Sequence, residues 1–144
     1  MFARGAVRVD PRIGEAGDVD TAVTVLTHEN GTITTIDNSR EAVYGFDQRV
    51  EAFGSSGMAV SDNPRAHAGW RIGRDAATGP ALPWFFLDRY LESYRREWKA
   101  FHAYLTEGGA SPVGTADARA CTAVALAAGL SLREGRPVQV KEIG

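Results

Sequence analysis

The chain has 144 residues, 44% apolar and 24% charged, with a formal net charge of −2. That length suits one compact domain that buries roughly two-thirds of its unfolded surface. A near-neutral balance with dispersed arginines gives no basic stripe for nucleic acid or for an anionic membrane. Cys121 is the only cysteine, so no intrachain disulfide can form. The N-terminus has charges throughout and no apolar run of signal-peptide length, and the longest apolar-rich stretch, Cys121 to Leu132, is too short to span a bilayer. These features predict a soluble, cytoplasmic protein.

Phe2 to Val9 reads as a strand, and Asp10-Pro11 with Gly14 to Gly17 as a loop. A strand this close to Met1 suggests that the chain enters the middle of an architecture. Val19 to Thr27 alternates, with Val19, Thr21, Val23 and Val25 on one face and Asp20, Ala22, Thr24 and Leu26 on the other. Asn30-Gly31 predicts a hairpin in which both residues accept positive φ, and Thr32 to Ser39 returns as its partner strand. After a bend at Glu41 to Gly45, strands are expected over Phe46 to Phe53, Met58 to Val60 and Ala66 to Ile72, continuing an antiparallel meander.

The period then changes from two to three or four. From about Pro83 to Thr106, Leu87, Tyr90, Leu91, Tyr94, Trp98, Phe101 and Leu105 mark one stripe of a long amphipathic helix, stopped by Gly108-Gly109. Thr115 to Glu134 is a second helix, with Thr115 as its cap and Ala120, Cys121, Ala123, Val124, Ala127, Ala128 and Leu130 on its buried side. Pro137 to Ile143 reads as a closing strand. A meander, two helices and a last strand make an α+β architecture with helices on one face of the sheet.

Chemistry is sparse. There is neither a G-x-G-x-x-G nor a G-x-x-x-x-G-K-[ST], so no cofactor is assigned to these residues. His28, His67 and His102 lack metal-ligand spacing, Gly54-Ser55-Ser56-Gly57 is a turn and not a nucleophile elbow, and neither Lys99 nor Lys141 sits where its pKa would fall. No catalytic set emerges. The unusual stretch is Gly31 to Gly57, where Arg40, Tyr44, Phe46 and Asp47 surround the bend. Tyr44 and Phe46, two apart, would share a face in extended backbone. Rings with donors and acceptors at their edges hold polyols, whose C–H groups lie on the ring and whose hydroxyls find polar partners. A hairpin corner whose rings cap the core explains the same residues, and their pattern leaves both readings open.

The run IDNSREAVYGFDQRVEAFGSSG, with WFFLDRYLESYRREWKAF and the closing AVALAAGLSLREGRPV, resembles the C-terminal domain of the Gfo/Idh/MocA oxidoreductases, inositol 2-dehydrogenase branch. The resemblance covers essentially the whole chain. It implies an open-faced, mostly antiparallel mixed sheet with helices on one face, of the dihydrodipicolinate-reductase-like kind. It implies that residues 1–144 form one substrate-binding and oligomerisation domain, whose exposed sheet face meets another subunit in a homodimer or larger assembly. The family's Rossmann domain, NAD site and catalytic Lys, Asp and His would lie before Met1, so the chain alone is expected to be inactive. Tyr44 and Phe46 match the family's Y-G-Y segment, and Phe86 falls where some relatives carry a substrate-facing Trp. These three are the expected polyol contacts. A stand-alone, non-catalytic module for self-association or sugar binding is the alternative, and a separately encoded Rossmann half is a third possibility.

Overall fold

A computed structural model describes residues 1–144. The chain forms two compact units, one of Met1–Glu41 with Ser111–Gly144, the other of Ala42–Ala110. In the first unit, strands β1 (Phe2–Ala6), β2 (Thr21–Thr27) and β3 (Ile33–Ser39) pair antiparallel in the order β1-β2-β3. The register sets Ala3 opposite Thr24 and Thr24 opposite Ile36, so the expected period-two alternation gives the sheet two distinct faces. Ala3, Thr24 and Leu26 are buried on one of them. The other carries the rows Phe2–Val25–Thr35 and Arg4–Val23–Asp37, with Val23 and Val25 exposed.

Three sequence expectations change in this unit. The loop after β1 is a one-turn helix, α1 (Pro11–Glu15), because Pro11 presets φ and Asp10 accepts the Arg12 N–H at 3.0 Å. At the first hairpin only Gly31 takes a positive φ, 84°, and Asn30 does not. The Gly31 N–H donates to the His28 carbonyl and the His28 N–H to the Thr32 carbonyl, giving a type I-like turn closed by a left-handed glycine. The expected C-terminal strand is a single bridging residue: Val138 exchanges two backbone hydrogen bonds with Met1, and Val140–Ile143 then coils into a 3₁₀ turn.

Asp20 fixes the return from β1. Its carboxylate accepts the N–H groups of Arg8, Val9 and Asp10 at 2.7, 2.8 and 3.0 Å, and the Thr21 hydroxyl at 3.0 Å. Removal from water alone would raise its pKa, but these donors more than offset that and hold it at about 2.

Helix α3 (Thr115–Glu134) lies against β1. Its cap is Gly114, not Thr115, and the Asp117 carboxylate accepts the Gly114 N–H at 2.8 Å. The buried part is its C-terminal half. Ala127 and Ser131 are wholly covered and Ala123, Val124, Ala128 and Leu130 partly so, whereas Ala120 and Cys121 are exposed. Small residues let the helix come close enough for the Ala3 N–H to donate to Ser131 Oγ at 3.0 Å, while the same hydroxyl donates to the Arg136 carbonyl at 2.6 Å. One buried hydroxyl thus joins β1 to the segment leaving α3.

The second unit holds two small ladders. β4 (Val50–Gly54) and β5 (Gly57–Ser61) form a hairpin about Ser55-Ser56, and β6 (Arg71–Ile72) pairs with β7 (Ala77–Thr78). The single long meander is therefore three separate antiparallel ladders. Phe46 to Arg49 is not strand, because the preceding turn diverts its backbone, and Ala66 to Ile72 contributes only its last two residues. Helix α2 (Phe86–Glu107) follows the predicted period and ends at Gly108, yet none of its residues is buried and Leu87, Leu91, Trp98 and Leu105 are exposed. The fold is α+β and mostly antiparallel, as the sequence implied. No helix is long and apolar enough to cross a membrane.

Candidate functional site

The bend is built by a turn over Ala42 to Gly45, in which the Gly45 N–H donates to the Ala42 carbonyl at 3.1 Å. Gly45 has φ of 122°, and a Cβ there would lie 2.7 Å from Leu82 Cβ and 3.1 Å from the Pro83 carbonyl oxygen. Only glycine satisfies both the dihedral and the space. The next N–H, of Phe46, donates to the Pro83 carbonyl at 2.8 Å, which ties the bend to the segment leading into α2.

Because residues 43–45 turn, Tyr44 and Phe46 do not share an extended face, and that expectation is corrected. Phe46 is half-buried and meets Tyr90 of α2 edge-to-face, with ring centroids 5.7 Å apart. Tyr44 is 59% exposed and donates its hydroxyl proton to Asp47 Oδ2 at 2.5 Å. Phe86, in the first turn of α2, meets Phe85 in a tilted pair with ring centroids 4.5 Å apart and lies one turn before Tyr90, on the same side of the helix. Of the three predicted contacts, Phe46 and Phe86 engage different rings at the start of α2, and Tyr44 engages Asp47.

Asp47 is the hub that the sequence did not single out by role. Arg49 donates from Nε to Oδ1 at 2.9 Å and from Nη2 to Oδ2 at 3.1 Å, and Asn63 Nδ2 donates to Oδ1 at 2.5 Å. Asn63 is oriented in turn by accepting the Gln48 N–H at 2.9 Å. The Arg49 guanidinium, then the Tyr44 hydroxyl, then the Asn63 amide lower the Asp47 pKa to about 2, so it is ionised at neutral pH. Asp47 lies beside the bend in sequence, but Asn63 is distant and no spacing rule marks it. Arg40 follows β3, and its N–H donates to the Asp20 carbonyl at 2.8 Å.

The remaining polar candidates have local partners. His28 Nε2 lies 2.9 Å from Thr34 Oγ1 across the hairpin, and His67 Nδ1 accepts the Gly69 N–H at 3.1 Å. No group of three or more His, Cys, Asp or Glu residues is placed to hold a metal ion. What the bend offers chemically is an exposed Tyr44 whose phenol is committed to Asp47, a Phe46–Tyr90 pair, and an ion-paired carboxylate held by Arg49 and Asn63. Ring surface beside fixed polar groups is chemically suited to neutral, hydroxyl-rich molecules.

Residues 1–60 match the GFO/IDH/MocA C-terminal domain family. The chain is 43% identical to myo-inositol 2-dehydrogenase from Thermotoga maritima, over 99% of this chain and 43% of that protein. It is 37% identical to inositol 2-dehydrogenase from Rhizobium meliloti, over 97% of this chain and 42% of the relative. The crystal structure of a probable dehydrogenase from Thermotoga maritima superimposes with a TM-score of 0.95 at 43% identity, covering 99% of this chain and 43% of that one. The chain thus spans less than half the length of the relatives it matches. By the bend motif, the α+β fold and these similarities, the 144 residues belong to the Gfo/Idh/MocA oxidoreductase family and correspond to its C-terminal domain.

Proposed function

We propose that residues 1–144 act as a single substrate-binding and self-association domain of an NAD-dependent inositol or polyol 2-dehydrogenase, working in the cytoplasm. The observation that carries this reading is the Tyr44–Asp47 bend, which keeps an exposed, rigid aromatic and polar rim in a chain 43% identical to a myo-inositol 2-dehydrogenase. Tyr44, Phe46 and Phe86 form the ring side of the polyol pocket. Where an inositol dehydrogenase has Tyr at the second aromatic, Phe46 supplies ring surface without a hydroxyl, so recognition there rests on C–H contact. Hydride transfer needs a cofactor site and a base, and these 144 residues carry no dinucleotide fingerprint, so the isolated chain does not reduce NAD.

Self-association uses the outer face of the β1-β2-β3 sheet. Its rows mix Val23, Val25 and Phe2 with Arg4, Thr35 and Asp37, a composition suited to burial against a two-fold copy of itself. Such an interface needs on the order of 1,000 Å² of well-fitted surface.

The functional reading is tested by titrating the chain with myo-inositol and following the aromatic resonances by NMR. Saturable binding, weakened at least about tenfold by Tyr44→Ala or Phe46→Ala in folded variants, is the expected result. Binding that is indifferent to both substitutions, or no binding, would overturn it.

A further inference from the structure

Resting on the polyol reading of this site, we propose that Asp47 is a positioning residue that makes the Tyr44 oxygen an acceptor toward the ligand, so that the bend selects molecules presenting hydroxyl donors and rejects carboxylates. A phenol has one proton to give. Tyr44 gives its proton to Asp47 Oδ2 at 2.5 Å, a distance typical of a hydroxyl on an ionised acceptor.

The acceptor cannot turn away. Oδ1 also receives Arg49 Nε and Asn63 Nδ2, and Oδ2 receives Arg49 Nη2. Asn63 cannot flip to present its oxygen, because that oxygen accepts the Gln48 N–H at 2.9 Å. The Asp47 side chain is only 13% exposed, so water competes poorly for these bonds. With four donors converging on two oxygens, the carboxylate stays ionised and its orientation is set from three directions.

Any hydrogen bond between Tyr44 and a ligand must then be donated by the ligand. A hydroxyl can do that, whereas a carboxylate or an ether oxygen brings acceptor against acceptor. The Asp47 charge behind the phenol adds to the penalty for an anion, and Arg49 offsets it only in part because it forks onto Asp47 and its side chain is 55% exposed. Selectivity for neutral polyols over acid sugars is thus a property of the bend itself, expressed through one proton.

The test has a spectroscopic arm and a binding arm. Ultraviolet resonance Raman spectra of the chain minus those of Tyr44→Phe isolate the Tyr44 ring doublet, whose intensity ratio distinguishes a donating phenol from an accepting one. A donor signature in the unaltered chain, lost in Asp47→Asn, is expected. In binding, myo-inositol should exceed glucuronate and an inositol mono-O-methyl ether by about tenfold or more. Asp47→Asn should narrow that gap to within about threefold, and in a Tyr44→Phe background it should have no further effect. A Tyr44 that does not donate in the unaltered chain overturns the inference even if Asp47→Asn fails to fold. Equal binding of myo-inositol and glucuronate, or an Asp47→Asn effect undiminished by Tyr44→Phe, overturns it while leaving the polyol site standing. Failure to bind any polyol removes the functional reading and this inference with it.

Discussion

Ser131→Ala is the sharpest test of how the first unit is held together. Ser131 is 0% exposed and Ala3, beside it, 1% exposed. Its hydroxyl accepts from the Ala3 N–H at 3.0 Å and donates to the Arg136 carbonyl at 2.6 Å. Alanine removes both bonds, each with a net value of about 1 kcal/mol, and strands a buried N–H whose desolvation costs about 1–3 kcal/mol. The Arg136 carbonyl is less enclosed and recovers part of its loss from water. Alanine also favours the helix by a few tenths of a kcal/mol, which offsets a little. The expected net loss is about 2–3 kcal/mol, or a fall in Tm of roughly 10 °C for a chain of this size. Urea unfolding followed by far-UV circular dichroism reads it as a lower midpoint at unchanged slope. All three tryptophans lie in the other unit, so fluorescence is the wrong probe for this change. The exposed Ser111, whose hydroxyl caps only the Val113 carbonyl, serves as control, and Ser111→Ala should stay within about 0.5 kcal/mol. A Ser131→Ala loss below about 0.5 kcal/mol would refute the claim that this hydroxyl joins β1 to the end of α3.

Other substitutions probe the bend and the sheet face. Gly45→Ala must adopt φ of 122° with its Cβ 2.7 Å from Leu82, so it should cost about 3 kcal/mol, read by tryptophan fluorescence in urea; a cost under about 1 kcal/mol would show that the turn relaxes freely. The Asp47 carboxyl has a folded pKa lowered to about 2 from an ordinary value of 3.8, so its stabilisation is fully present above about pH 4 and is lost as pH falls through about 2. At about 1.4 kcal/mol per pKa unit the ceiling is about 2.5 kcal/mol, and screening of the half-exposed Arg49 reduces it to about 1 kcal/mol. Subtracting the acid-unfolding profile of Asp47→Asn from that of the unaltered chain should expose this step, and superimposable profiles would contradict it. Val23→Arg, on the outer sheet face, should shift sedimentation toward the monomer without lowering the Tm by more than a degree or two; unchanged sedimentation would move the proposed interface elsewhere.

The parts of the fold legible in the sequence are those set by local periodicity. β2 alternates, with Thr24 and Leu26 buried and Val23 and Val25 exposed, and α2 keeps its stripe for 22 residues. Where tertiary bonds decide, the sequence was silent. Phe46 to Arg49 has strand-like composition, yet the Gly45 turn and the Phe46–Pro83 hydrogen bond redirect its backbone. Thr115 looked like a cap, but Gly114 takes that place because Asp117 reaches back to its N–H. Cys121 and Ala120 fit a small-residue face that is buried only further along, at Ala127 and Ser131, where β1 and Val138 lie close. Tyr44 and Phe46 stood out by their place at the polar bend, whereas Phe86 came from the resemblance to a known family. Asp47's role depends on Asn63, 16 residues away, and a pairing of that kind leaves no trace in spacing.

The most direct measurement of the central claim is a set of intermolecular NOEs between the chain and myo-inositol. If the bend is the ring side of a polyol pocket, the inositol C–H protons should show contacts to the rings of Tyr44 and Phe46, and these should vanish in folded Tyr44→Ala and Phe46→Ala variants. Contacts confined to other residues, or none at all, would contradict the account.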